Sequence, residues 1–341
     1  MSMVYAVMFL AAFLITFLTV PLVRSWAVRW NVWDRPDHLV KTHGAPVPYL
    51  GGLAVFLGFA GSLLLLRFFS DFPTGTLRSL RGLLVGGGVL LLVGLADDLR
   101  KPRGLSVRAK FAFQVLAAFV LMHFDMKIRF IHPDWLATVA TVLWVVGISN
   151  AINLIDIMDG LASSQTLVAA LGFLLISIPT EQIYVNVAAT ALAGASLAFI
   201  PHNMSRTRRI FMGDMGSLFL GVVLAGLSLG TDYTKLSEVG VFAPLLVLGL
   251  PVYDTFFVSV LRLKDGKSPF QGSKDHLALK LRAGGRSVPH VVILFASASV
   301  VLSVCAWLLT KTPLGISLWV ISSLLLVGLG VLIKLAKVVV H

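Results

Sequence analysis

The chain has 341 residues, of which 57% are hydrophobic and 13% charged, with a mean hydropathy of +0.91. That balance excludes a soluble globule, which needs a polar surface, and predicts an all-α, polytopic integral membrane protein. The formal net charge of +12 is spread over short loops with no nucleic-acid-binding module, so membrane lipids are the expected counter-charge and no nucleic-acid partner is expected.

Apolar runs of about 17 to 25 residues, the length a bilayer-spanning helix needs, recur at 3–22, 47–66, 80–96, 109–125, 135–152, 160–179, 183–200, 215–230, 239–261, 288–309 and 314–338. They predict about 11 transmembrane helices in a single membrane-embedded domain over 1–341. The first run lacks a basic leader and is too long for a signal-peptide core, so it is expected to be retained. Cys305, the single cysteine, falls inside the tenth run and reads as a small packing residue. Lys and Arg concentrate in alternate loops, around 24–41, 100–110, 206–209 and 262–286. Because such loops stay cytoplasmic, the N-terminus is predicted outside and the C-terminus inside.

Most of the acidic residues then sort by side. Asp34, Asp37, Asp97, Asp98, Asp156, Asp159, Asp214, Asp265 and Asp275 fall at the basic face. Carboxylates among many cations suit a metal ion bridging to a phosphorylated substrate.

Four motifs lie at that face. Lys41 to Gly52 carries Lys41 and His43 on a Pro-stiffened entry to the second span, where they fit either diphosphate binding or a basic loop. Asp97 and Asp98 end the third span. Adjacent carboxylates perturb each other, so one can take a proton or orient a phosphate; alternatively they are solvated partners of Arg100 or Lys101. Asn150, Asn153, Asp156 and Asp159 recur every three residues, on one slowly rotating face that runs off the fifth span, and Gly160 then permits a tight turn. Interhelical amide bonding accounts for one or two of the four, not for all. Phe211 to Ser217 opens the eighth span, with Asp214 between glycines as either a ligand-facing group or an N-cap.

Together these motifs resemble the polyprenyl-phosphate N-acetylhexosamine-1-phosphate transferases, the family containing the WecA, TagO and MraY enzymes. The resemblance covers nearly the whole chain in motif order, with Asp97–Asp98, Asn150 to Leu161 and Gly213 to Ser217 as its strongest residues. It implies transfer of a sugar-1-phosphate from a UDP-N-acetylhexosamine, GlcNAc first among them, to undecaprenyl phosphate at the cytoplasmic face of a bacterial inner membrane. The product would open a cell-envelope glycan pathway such as lipopolysaccharide or teichoic acid synthesis. It also implies Mg²⁺, with Mn²⁺ as the substitute ion, and a homodimer as the family expectation. Asn153 and Asp214 would hold the metal. Asp97 would orient or deprotonate the lipid phosphate with support from Asp98, and Asp159 would sit near the uracil. Asp156 is grouped with the catalytic carboxylates, and Lys41, His43, Asn150 and Gly160 with the substrate-binding residues.

Two departures stand out. Position 157 is Ile where the family commonly has glycine. The loop from Ser273 to Leu281 keeps only His276 of a histidine cluster, with Lys280 at the position of a following arginine; both are expected to bind substrate. Two other readings are a UDP-MurNAc-pentapeptide transferase, against which the missing histidines argue, and a transporter or lipid flippase, which would place polar groups nearer the bilayer midplane.

Overall fold

The computed structural model describes residues 2–35, 45–69, 75–101, 103–180, 182–230, 233, 237–268, 272–338 and 340. In order along the chain the helices are α1 (Ser2–Arg29), α2 (Gly51–Phe69), α3 (Thr76–Leu99), α4 (Val107–His123), α5 (Asp134–Ile155), α6 (Leu161–Ser177), α7 (Ile183–Asn203), α8 (Gly213–Ser228), α9 (Ala243–Val247), α10 (Gly249–Lys264), α11 (Leu277–Ala283), α12 (Val288–Leu309) and α13 (Leu314–Ala336). Helices dominate because an apolar segment in lipid must satisfy its backbone amides within itself. The chain is an all-α, multi-pass membrane protein.

Each of the eleven apolar runs carries helix, but not eleven uniform spans. Among the described residues, eight helices are individually long and apolar enough to cross a bilayer. The ninth run is broken: the segment ending at Val247 and α10 meet at 71°, with Pro251 one turn beyond the break. At 17 and 16 residues, α4 and α8 reach only about 24–26 Å, short of a hydrocarbon core of about 30 Å. The second span begins at Gly51 rather than 47, because Val47–Pro48 (β2) pairs antiparallel with Trp33–Asp34 (β1). Proline at 48 favours that extended conformation in the residue before it.

The bundle is organised around α8, which is buried at every residue from Met215 to Ser228. α2, α3 and α5 pack along it, α7 lies between α1 and α6, and α12 covers α6. α13 is peripheral, with Ser317 its one buried residue. The α3–α8 contact is a backbone contact: a Cβ at Gly94 would fall inside the main chain of Met215. This approach brings the C-terminal turn of α3 against the N-terminal turn of α8. A short ladder adds the β2 segment, with Phe211 N donating to Pro48 O at 2.9 Å and Gly52 N to Met212 O at 2.9 Å.

Candidate active site

Where α3 meets α8, three carboxylates and two ammonium groups form one cluster. Carboxylate oxygens of Asp97, Asp98 and Asp214 all lie within 4.8 Å of one another. Asp98 is buried, and its two oxygens accept the N–H groups of Asp214 (3.2 Å) and Met215 (3.1 Å). It thereby caps α8 from another helix, satisfying amides that would otherwise lack partners. Lys101 bridges Asp98 Oδ1 at 2.7 Å and Asp214 Oδ1 at 3.4 Å, and lies 4.9 Å from the centre of the Tyr49 ring. Lys110, from α4, bridges Asp214 Oδ2 at 2.6 Å and Asp97 Oδ2 at 2.9 Å. The other oxygen of Asp97 accepts Leu105 N at 2.6 Å. Burial works against the Lys101 charge, but Asp98 and Asp214 hold its pKa above the ordinary lysine value.

The cluster opens on one side into a cavity of about 440 Å³. Lys101, Asn153, Asp156, Asp159 and Asp214 all reach its wall. Asn153 Nδ2 donates to Ser217 Oγ at 2.8 Å, a hydroxyl that in turn donates to Gly213 O at 3.1 Å. That leaves the amide oxygen of Asn153 as an acceptor in the cavity that Asp214 also lines. Asp156 caps the end of α5; burial pushes its carboxyl well above the usual carboxylate range, and Asp214 adds to the effect. The turn from Asp156 to Gly160 ends with Gly160 in the left-handed region at φ 78°. Its N–H donates to Asn203 Oδ1 at 2.5 Å, and Asn203 Nδ2 donates to Ile210 O at 2.9 Å. Asn203 therefore ties the turn to the segment leading into α8. Asp159 pairs with Arg209 at 3.3 Å.

α11 adds to the same lining, and its hold is buried. Asp254 on α10 accepts Leu277 N at 2.7 Å and pairs with His276 Nδ1 at 2.6 Å, with both side chains almost fully enclosed. The helix so anchored turns Leu279 and Arg282 toward the cavity.

The glycosyl transferase family 4 model matches residues 80–232, the stretch that carries the Asp97–Asp98, Asn153–Gly160 and Asp214 motifs. A Mycobacterium tuberculosis protein named decaprenyl-phosphate N-acetylglucosaminephosphotransferase is 32% identical over 317 residues, covering 84% of this chain and 77% of that protein. The chain belongs to glycosyl transferase family 4. A Bacillus subtilis relative named "Probable undecaprenyl-phosphate N-acetylglucosaminyl 1-phosphate transferase" is 28% identical over 328 residues, 92% of this chain and 88% of the relative. A Limosilactobacillus reuteri phospho-N-acetylmuramoyl-pentapeptide-transferase is 33% identical over 240 residues, covering 64% of this chain and 72% of that protein.

Within this family 4 chain, the structure sorts the residues expected from sequence. Asn153, Asp156, Asp159 and Asp214 converge on the lining of one cavity, and Gly160 shapes the turn behind them. Asp97 and Asp98 sit beneath that lining, in the buried ion cluster rather than solvated at an interface. Asn150 does not join them: its amide exchanges hydrogen bonds with Gln114 on α4, at 2.8 and 3.2 Å. It is the interhelical pair that the three-residue spacing left open. His276 and Lys280 also lie elsewhere. His276 is committed to Asp254, and Lys280 Nζ points to Val338 O at 2.7 Å and Asp275 at 3.3 Å, so neither lines the cavity. Lys41 and His43 lie outside the described residues. Lys101 is the partner of Asp98 that the sequence offered as an alternative, though Asp98 is buried rather than solvated; sequence reasoning passes over Lys110, Arg209 and Arg282 as loop charges, and over Asn203 and Asp254. Of these, Asp254 had a usable signal, as a carboxylate within an apolar run.

Proposed function

We propose that this chain transfers N-acetylhexosamine-1-phosphate, with GlcNAc as the sugar, from a UDP-sugar to undecaprenyl phosphate in the bacterial cytoplasmic membrane. An oxygen of the lipid phosphate attacks the phosphorus that carries the sugar. The bond from that phosphorus to the UMP phosphate breaks, and UMP leaves with its electron pair. The names of the B. subtilis and M. tuberculosis relatives support the acceptor class and the sugar. The observation that carries the reading is that Asp214, Asn153 and Lys101 all line one cavity.

Hard divalent cations take oxygen ligands. The Asp214 carboxylate and the free amide oxygen of Asn153 fit Mg²⁺, or Mn²⁺ in its place, by donor chemistry. When bound, the ion neutralises charge on the diphosphate and its leaving group. This chain's own residues do the rest. Lys101 offers an ammonium group to phosphate oxygens from the cavity wall, and Arg209 and Arg282 add guanidinium groups to the same lining. Asp97, with both oxygens committed to Leu105 N and Lys110, serves to position Lys110 rather than to remove a proton. A lipid phosphate is already largely ionised near neutral pH. Asp159, held by Arg209, is the residue we place toward the uracil, on the resemblance stated above.

The test is UMP release by the purified protein with undecaprenyl phosphate and a panel of UDP-sugars, with Mg²⁺ or EDTA. Release that needs UDP-GlcNAc, lipid and metal is the expected result. UDP-MurNAc-pentapeptide belongs in the panel because of the L. reuteri relative, whose match spans less of the chain. Turnover of that donor alone would replace the GlcNAc reading.

A further inference from the structure

We infer that Lys110 competes with a divalent cation for Asp214, and that the arriving acceptor phosphate relieves the competition. This rests on the metal reading proposed above.

Each oxygen of Asp214 is already held by a different lysine. Lys101 favours Asp98, at 2.7 Å against 3.4 Å to Asp214. Lys110 does the reverse, sitting 2.6 Å from Asp214 and 2.9 Å from Asp97. A cation bound through Asp214 Oδ2 must therefore displace Lys110, the closer of the two lysines. That lysine has somewhere to go: Asp97 Oδ2 is its second partner, and Leu105 N fixes that carboxylate through the other oxygen at 2.6 Å. Lys110 can thus yield Asp214 without being left buried and unpaired, which is the costly outcome for a buried charge.

Charge balance points the same way. Three carboxylates against two ammonium groups leave one net negative charge in the cluster. Adding a dication turns that into one net positive charge. A phosphate monoester carrying about 1.5 to 2 negative charges then returns the sum to between about −0.5 and −1, no more negative than the cluster without either ligand. Cation and lipid phosphate each remove the imbalance that opposes the other. Their binding is positively coupled, and by linkage each raises the affinity for its partner equally.

The experiment is a titration of the full-length protein in detergent with Mn²⁺, free ion being read by electron paramagnetic resonance, with and without farnesyl phosphate. Lys110→Met should bind Mn²⁺ at least about tenfold tighter than wild type in the absence of lipid, since a neighbouring cation is removed. Lys110→Arg, which keeps the charge, should match wild type. Farnesyl phosphate should tighten Mn²⁺ binding in wild type by a larger factor than in Lys110→Met; direct contact between metal and phosphate alone would leave the two factors equal. Unchanged or weaker Mn²⁺ binding by a folded Lys110→Met would overturn the inference, as would equal lipid effects. Should Lys110→Met lose its fold, Lys110→Gln is read in the same way. Asp214→Asn separates the two levels. If it binds Mn²⁺ like wild type, the metal reading itself has failed. If it loses Mn²⁺ while Lys110→Met gains nothing, only the competition has failed.

Discussion

Asp98, near the end of α3, accepts the backbone N–H of Met215 in the first turn of α8 at 3.1 Å. The same carboxylate takes Asp214 N and the Lys101 ammonium, so one buried side chain sets both the start of α8 and the position of Asp214. Asp98→Asn keeps the size but turns one acceptor into a donor that faces an N–H or an ammonium group. It should destabilise the protein by about 1–3 kcal/mol and reduce turnover by more than about tenfold. Thermal unfolding in detergent and UMP release would show both; wild-type values in both would remove Asp98 from this role.

Gly213 should give the same phenotype by another route. It has φ 74°, where a side chain is strained, and a Cβ there would strike the Asp98 carboxylate. Gly213→Ala is expected to lower stability and turnover together. Combined with Asp98→Asn it should cost less than the sum of the two, because both break one contact. Additive losses would place them in separate features.

Asp214→Ala and Asn153→Ala should each lower metal-dependent UMP release by about a hundredfold or more, and EDTA should abolish it in wild type. Both variants should remain folded, since the cap on α8 uses the backbone N–H of Asp214 and not its side chain. Retained turnover in either variant would take that residue out of the proposed metal site.

Asn150→Ala is expected to act on stability alone. It leaves Gln114 without its partner across α4 and α5, a loss of about 1 kcal/mol for an interhelical hydrogen bond in a membrane protein. KM for the donor should stay at the wild-type value. A raised KM with unchanged unfolding temperature would return Asn150 to the substrate-binding residues.

Arg282 and Lys280 should part company in kinetics. Arg282→Met removes a guanidinium from the cavity lining and should raise the KM for the UDP-sugar by about tenfold. Lys280→Met removes an anchor to Val338 O and Asp275 and should lower thermal stability with KM unchanged. The opposite assignment would mean that α11 presents its other face to the substrate.

The motifs were legible because membrane depth makes polar groups costly, so those present stand out. Asn153, Asp156, Asp159 and Asp214 could be picked from the chain on that ground. Asn150 was singled out with them, but its amide pairs with Gln114, while His276 and Lys280, expected from the resemblance, are held by Asp254, Asp275 and Val338 O. A three-residue spacing lets the face of a helix drift, and sequence cannot say which neighbouring helix a residue on that drifting face will meet. For Asn150 the neighbour was Gln114.

What the sequence alone determined was the class of protein, the succession of apolar helices and the side of the bundle where carboxylates and cations collect. Those follow from hydropathy and charge, which are properties of single residues summed over a segment. Only the tertiary structure decided which groups are partners: Asp98 as a cap on a helix more than a hundred residues away, Lys110 as a bridge between α3 and α8, and Asp254 as the anchor of α11. A hydrogen bond or ion pair is made within about 3 Å, and at that range the packing of helices distant in sequence, down to a glycine at 94 that lets two backbones touch, chooses each partner.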